Sequence, residues 1–576
     1  MWALVLLGSI LTMAHGLPRS TRMCESATIV EAWPGGYKGT VSFAAPSAYS
    51  SVILDLYFLH PVNSLQITTG GQVTSESDTH FVYTVGDSGS AGSTVSYDFQ
   101  VAYSEQQPLL GAMVFNGDDV CGAGGGLTTA PPLPNPCAAT GTTPYDYPQV
   151  LCMSILFYEA QRSGRLPADQ RITWRWDSAL GDGGDVGVDL TGGYYDAGDH
   201  VKFGLPLAYT GTVLAWGAIA YEAGMRSAGE YDNARAAVRW VAEYLLKAHS
   251  APGELYGQVG DGGLDHAYWG RPEEMTMPRP AAKITTQAPG SDLAGETAAA
   301  LAAASILFSD DAQFSTACLD AARDLYDLAD LHRQIYTVSI PGASGYYDSF
   351  SGYGDELAWS AIWLYKATGD EAYHAAAVRH WDEFGLGDGA VQFSWDDKTP
   401  GCYALFAELD GGPAYVSALQ GFVDQTINGA TYTPGGLVHL DTWGALRHAM
   451  NVAFIAHRAA DLGINTASYR AWATGQLHYA LGDTGHSFVV GFGVNPPERP
   501  HHRASSCPQY PASCTDSWAQ NQPGPNPHTL YGALVGGPDQ SDNYVDDRMD
   551  FVHNEVACDY NAAFVGVLAA TVQNSS

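Results

Sequence analysis

DNARAAVRWVAEYLLKAH, residues 232 to 249, decides the fold class. Its apolar residues recur at Ala234, Val238, Val241, Leu245 and Leu246, a spacing that gathers them on one face of an α-helix, with Asp232 or Asn233 placed to cap the first turn. The same period recurs on both sides of it. Twelve segments carry it, near 147–164, 206–224, 232–249, 292–308, 314–332, 355–368, 371–384, 401–409, 413–427, 440–462, 468–481 and 554–572. The pattern predicts a helical domain over residues 137–576. Between these segments lie long loops, roughly 165–205, 250–291, 333–354, 385–400 and 482–553. Helices need far shorter connections, and ordered loops of such length usually carry function.

Upstream the period changes to two. GTVSF, SVILDLYFL, HFVYTV and STVSYDFQVAY, separated by Gly, Ser, Asn and Pro, predict short strands of a small β-sandwich over residues 17–121. GAGGGLTTAPPLPNP, residues 122–136, has the composition of a linker. Residues 1–16, MWALVLLGSILTMAHG, form a short apolar run ending in small residues, as a signal peptide does, although basic residues are missing from its start. No later apolar run reaches the roughly 20 residues that span a bilayer. A soluble, secreted, monomeric protein is therefore expected, one in which disulfides can form. Nine cysteines are an odd number, so at least one thiol is left unpaired within the chain. Cys24 and Cys121 bracket the β-rich part end to end, a placement suited to a disulfide.

The net charge of −35, from 61 acidic and 26 basic residues, repels polyanions and argues against nucleic acid as a partner. Thirty-three tyrosines and fourteen tryptophans make carbohydrate a candidate ligand, because aromatic faces stack on the apolar C–H faces of sugar rings.

Three stretches concentrate reactive side chains. NYVDDRMDFVHNEVACDYNAAF, residues 543–564, crowds Asp546, Asp547, Asp550 and Glu555 ahead of an apolar run. Close carboxylates repel, and one of them is thereby pushed toward holding a proton at neutral pH. GGYYDAGDHVKFGLPLAYT, residues 192–210, places Asp196 and Asp199 three apart around Gly198, so that one turn can aim both carboxylates at a water and take its proton. Asp196, Asp199 and His200 could alternatively ligate a metal, and a plain acidic turn is the third reading of the stretch. SFVVGFGVNPPERPHHRASSCPQYPASC, residues 487–514, offers His501, His502 and the forked donor Arg503 to the hydroxyls of a polyol. Its histidines and cysteines fit no common zinc spacing, and a local Cys507–Cys514 disulfide is expected instead.

In order along residues 137–572, YYDAGDHVKF, VGDGGLDHAYWGRPEEM, DLAGETAAALAAAS, SGYGDELAWSAIWLYKATGD, SWDDKTPG, YTPGGLVHLDTWGALRHAMN, SFVVGFGVNPPERPHHR and YVDDRMDFVHNEVACDYNAAF resemble glycoside hydrolase family 9, the inverting cellulases built on an (α/α)6 barrel. The resemblance implies a secreted endo-β-1,4-glucanase acting on cellulose or a related β-1,4-glucan, with no cofactor for catalysis. It makes Asp199 the general base, Asp196 the carboxylate that helps hold the water, and Glu555 the general acid. Asp546 and His501 fall on the remaining positions of the two active-site signatures, and Arg503 on a sugar-binding arginine. His266, Trp269, Trp443, Arg447 and Tyr560 match positions lining the sugar subsites. Tyr347, Phe350 and Val391 match positions of aromatic platforms, only the first two being aromatic here. A structural calcium is implied at Ser351, Gly352, Asp355, Glu356 and Asp396, oxygen donors of the kind calcium takes. Inversion requires acid and base carboxyls roughly 6.5 to 9.5 Å apart. Glu555 stands where the last helix is expected to begin, and a helix N-terminus favours the carboxylate, so neighbouring carboxylates or desolvation must outweigh that effect, with Asp546 or Asp550 the expected source. The N-terminal part is similar to carbohydrate-binding modules of family 2, through its terminal cysteines and NGDDVCG. Trp33 is its one tryptophan, with Tyr37, Tyr49 and Tyr83 as candidate substitutes for an exposed aromatic row. Two other readings remain open: a polysaccharide-binding protein that keeps the groove without catalysis, and a metal-dependent hydrolase using Asp196, Asp199 and His200.

Overall fold

A computed structural model describes residues 26–575 except 34, 59–61, 69, 76–78, 105–107, 109, 117, 121–134, 142–144, 511 and 513. The expected signal segment, Cys24, Cys121 and most of the linker lie outside these residues. The chain forms two compact units, one N-terminal and one holding residues 130–508 and 514–576.

The N-terminal unit is two antiparallel sheets. One is ordered β1 (Ala27–Trp33), β2 (Gly36–Ala44), β7 (Thr94–Ala102), β4 (Ser64–Ile67); the other β5 (Gln72–Ser75), β6 (His80–Val85), β3 (Val52–Phe58), β8 (Leu110–Phe115), β9 (Asp118–Asp119). Burial alternates along β7, TVSYDFQVA, as a strand with one covered face requires. Val41 and Val101 from the first sheet share one core with Leu54, Leu56 and Met113 from the second, which is the sandwich the alternation predicts. Two of the proposed aromatic substitutes belong to that core: Tyr37 is 1% exposed and Tyr83 0%. Tyr37 donates its hydroxyl hydrogen to the carbonyl of Pro108, and Tyr49 packs edge-on to Phe115. Alternation fixes that one face is buried but not which, so the sequence could not sort these rings. Among the described residues of this unit, Trp33, Val30 and Ile53 are the large apolar side chains left exposed.

All twelve helical segments are present in the second unit. They are α1 (Tyr147–Gln161), α2 (Gly204–Ala220), α3 (Tyr231–Ala248), α4 (Ser291–Leu307), α5 (Ala312–Leu331), α6 (Gly354–Thr368), α7 (Glu371–Glu383), α8 (Thr399–Leu409), α9 (Pro413–Gly429), α10 (Ala445–Asp461), α11 (Thr466–Leu481) and α12 (Cys558–Ser575). The even-numbered helices touch in sequence, α2, α4, α6, α8, α10, α12, and back to α2, closing a ring. Each odd-numbered helix packs outside one of them, α1 on α12, α3 on α2 and so on around. Composition explains the sorting. In α4, SDLAGETAAALAAASIL, every residue but Ile306 is buried, and its alanines let neighbouring backbones approach from both sides. The outer α3 buries one stripe, Ala234, Val238, Val241 and Leu245 among it, and leaves its charged face to solvent. Leu246 is only partly buried. The expected cap is corrected too: Glu230 occupies the N-cap, and Asn233 donates to its carboxylate at 2.8 Å.

Two helix starts differ from expectation. α10 begins at Ala445 and α12 at Cys558. Before α12 the backbone stays extended because it pairs with other loops, His501 with Glu555 and Val535 with Val556. The long loops also hide a small sheet, β10 (Lys202–Phe203), β11 (Glu254–Val259) and β12 (Ala281–Thr285). Cys507–Cys514 is a disulfide as expected, and Cys137–Cys152 is a second. Cys318, Cys402 and Cys558 are buried thiols.

Candidate active site

The reactive residues meet in the loops that lead into α2 and α12, which are neighbours in the inner ring. Backbone hydrogen bonds lace these loops together: Cys558 N–H to Asp196 O at 2.9 Å, Arg503 N–H to Gly198 O at 2.9 Å, and His501 N–H to Asn554 O at 2.8 Å. Gly198 has to be glycine for lack of room. A Cβ there would stand 2.1 Å from the carbonyl oxygen of His501. Gln161, the last residue of α1, clasps the same turn, donating to Ala197 O at 2.7 Å while its oxygen meets His502 Nε2 at 2.8 Å. Nothing in the sequence marked Gln161, since a single glutamine at a helix end carries no motif.

Asp196, Asp199 and Glu555 lie close enough in this nest to act on one another's charge. Asp196 accepts the hydroxyl hydrogen of Tyr347, and burial, then the charge of Asp199, holds its carboxyl well above the usual range. Asp199 takes Ala197 N–H on Oδ1 at 3.2 Å, while its Oδ2 accepts no hydrogen bond from the protein. Glu555 is pushed up to about 8, first by burial and then by Asp199, with Arg503 and the Gly198 N–H pulling the other way. The expected source of this shift is corrected on two counts. Glu555 lies ahead of α12, not in its first turn, so the helix terminus does not act on it as supposed. Asp546 is engaged elsewhere, accepting the N–H groups of Glu498 and Arg499 at 2.9 and 3.0 Å and the Asn554 amide at 3.1 Å. It shapes the loop that carries His501. Asp550 accepts from Val552 and His553 and is held below its usual range by burial-opposing hydrogen bonds to them.

His501 is lowered to about 4 by burial and Arg503 and is therefore neutral. Its Nδ1 lies 2.7 Å from the carbonyl of Arg548, which can only accept, so Nδ1 carries the hydrogen and Nε2 is an acceptor. Arg503 is buried, with Nε and Nη1 making no hydrogen bond in the protein, and its guanidinium lies 5.1 Å over Trp269. Trp269 and Tyr560, 3% and 2% exposed, act as supports beneath Arg503 and Arg447, not as open platforms. Arg447 pairs with Asp559 at 3.1 Å. Trp443 is 45% exposed and pairs with Phe551, also exposed, at 5.5 Å between ring centroids; Phe551 had no sequence signal of its own. Tyr347 packs against Trp395 and Phe203, so its hydroxyl and not its face meets the site. Phe350 and Val391 are exposed.

The metal reading of Asp196, Asp199 and His200 fails on geometry. The His200 ring turns away to the carbonyl of Gly270 at 3.0 Å and is interior. The calcium positions form a separate cluster. Ser351 Oγ stands 3.4 Å from both Asp355 Oδ1 and Asp396 Oδ1, and Gly352 supplies a turn at φ +92°. These hard oxygens suit calcium. The Glu356 carboxylate does not join them, because it pairs with the buried Lys398 at 2.7 Å.

The profile of glycosyl hydrolase family 9 matches residues 147–568. The chain belongs to glycosyl hydrolase family 9. Endoglucanase B of Cellulomonas fimi is 47% identical over 462 residues, which is 77% of this chain and 43% of that longer protein. The solved endoglucanase of the termite Nasutitermes takasagoensis is 58% identical with a TM-score of 0.74, covering 75% of this chain and all of that one. Endoglucanase CelQ of Clostridium thermocellum, solved with cellotetraose, is 38% identical with a TM-score of 0.67, covering 75% of this chain and 71% of that one. The family profile begins at α1, so the N-terminal β unit of this family 9 hydrolase lies outside that match.

Proposed function

We propose that this family 9 hydrolase is a secreted, monomeric endo-β-1,4-glucanase that cleaves cellulose or a related β-1,4-glucan with inversion at the anomeric carbon. The observation that carries this reading is the pairing of a carboxyl that keeps its proton to about pH 8, Glu555, with a carboxylate oxygen left free of protein donors, Asp199 Oδ2. A carboxyl that holds its proton beside a carboxyl oxygen free to accept one is what acid and base catalysis of glycoside cleavage needs. Asp199 takes the proton of the attacking water, Asp196 fixes that water through the oxygen not held by Tyr347, and Glu555 protonates the departing oxygen. Arg503, with two guanidinium nitrogens uncommitted, and neutral His501 hold sugar hydroxyls, and Trp443 with Phe551 gives a ring-stacking face. A calcium at Ser351, Asp355 and Asp396 is a structural ion in this reading.

Product analysis decides inversion. Proton NMR of fresh cello-oligosaccharide digests should show the α-anomer first, and an initial β-anomer would exclude an inverting mechanism. The C. fimi, termite and C. thermocellum relatives, all named endoglucanases, support the substrate class.

A further inference from the structure

The GGLDHAYW stretch brings two more groups to the base. Oxygens of Asp199 and Asp265 and a ring nitrogen of His266 all lie within 4.8 Å of one another. Both carboxylates are interior, 3% and 1% exposed, and the Oδ2 of each accepts no hydrogen bond from the protein. Asp265 Oδ1 is taken by the N–H of His200 at 2.9 Å. Arg279 Nη1, 3.6 Å from Asp265 Oδ2, offsets charge there without closing a hydrogen bond.

His266 supplies a donor of a different kind. Its Nδ1 lies 2.6 Å from the carbonyl of Gly262. A carbonyl only accepts, so Nδ1 bears the hydrogen and Nε2 presents a lone pair, 4.0 Å from Asp199 Oδ2. Two electron-pair donors thus face each other across a gap that a direct hydrogen bond does not bridge. A carbonyl-fixed imidazole beside carboxylates is the arrangement in which proteins hold borderline divalent ions, at about 2.0 to 2.2 Å per bond. Donors around such an ion stand roughly 3 to 4 Å apart, so this set needs only a small inward movement. His266, with a side chain 40% exposed, is the donor at the surface and has room to make it.

We propose that Asp199, Asp265 and His266 form a binding site for a borderline divalent cation, Zn2+ being the type, and that filling it stops hydrolysis. The site is distinct from the calcium cluster in place and in chemistry, because an imidazole with two carboxylates favours zinc over an ion that takes six to eight oxygens. Inhibition rests on Asp199 being the base; binding does not.

The test uses the full-length chain, stripped with chelator and returned to calcium. Calorimetric titration with Zn2+ should give one site. His266→Ala should weaken that site about ten-fold or more, Asp265→Asn should weaken it as well, and saturating cello-oligosaccharide should compete with it. Thermal melts of each variant, taken without zinc, establish that a lost site is not a lost fold. No binding by the parent chain, or undiminished binding by a folded His266→Ala, overturns the site. Zinc that binds there and leaves hydrolysis unchanged overturns the inhibition alone and counts against Asp199 as base, an outcome separable from failure of the site itself.

Discussion

Glu555 and Asp199 are assigned opposite jobs, and the two assignments separate in experiment. Removing a general acid costs about 10²- to 10⁴-fold where the leaving group needs a proton. On aryl cello-oligosaccharides whose leaving group departs unprotonated, Glu555→Gln should retain most activity, whereas Asp199→Asn should lose about 10²-fold or more on both substrates. Equal losses by the two variants would show the acid and base labels to be wrong. The proton on Glu555 also sets a pH dependence. An acid that titrates near 8 is spent above that pH, so kcat/KM should fall on the alkaline side with a midpoint near 8. Stability follows the same proton. The folded-state value is raised from 4.5 to about 8, so the folded chain binds this proton more tightly than the unfolded chain does. The resulting stabilisation is complete below about pH 4.5 and is lost as pH rises through 8. Thermal melts of the parent chain from pH 5 to 9 should therefore decline more steeply than those of Glu555→Gln, which has no proton to lose.

At the level of elements, the helices were readable and the loops only in part. The one-sided 3.6-residue period belongs to outer helices such as α3, which buries one stripe, whereas an inner helix such as α4 is covered on every side and reads as an unbroken apolar, alanine-rich run. The start of α12 was misplaced because Asn554 and Glu555 look like a cap, while long-range pairing of Glu555 with His501 keeps that backbone extended. Local sequence does not report such pairing. The carboxylates of the proposed acid and base were legible as motifs, since DAGD and NEVACDY each place two acidic side chains within a few residues. The groups that hold them were not: Gln161 and Asn554 bond to loops 36 and 55 residues away, and Tyr347 acts on Asp196 through its hydroxyl from 151 residues away. Gly198 shows what that lacing demands. In Gly198→Ala the new methyl would meet the His501 carbonyl at 2.1 Å, forcing the base loop and the His501 loop apart. A displacement of that order should lower kcat by about 10²-fold and stability by about 1 to 3 kcal/mol. Kinetics and melts on the purified variant check both, and near-parental kcat would show that the two loops need not touch.

For the whole molecule, composition argues against nucleic acid as a partner but does not show what fastens the helical ring. The proposed calcium cluster sits at such a fastening point. Ser351 and Asp355 belong to the entry of α6, Asp396 to the loop entering α8, and α6 and α8 are adjacent in the ring. The protein ties this junction on its own through Lys398 N–H to Asp355 Oδ2 at 2.6 Å and Ser351 Oγ to Asp396 O at 2.6 Å, yet it leaves two aspartate side chains crowded there. An ion bound only by the folded chain adds RT ln(1 + [L]/Kd), about 4 kcal/mol at a thousand times Kd. Chelation should accordingly lower the melting temperature by several degrees and calcium should restore it, while Asp396→Asn should melt low and respond little to either. Turnover measured well below the melting temperature should survive chelation, because no catalytic group is drawn from this cluster. Loss of turnover in a chelated protein that is still folded would instead make the metal part of the reaction.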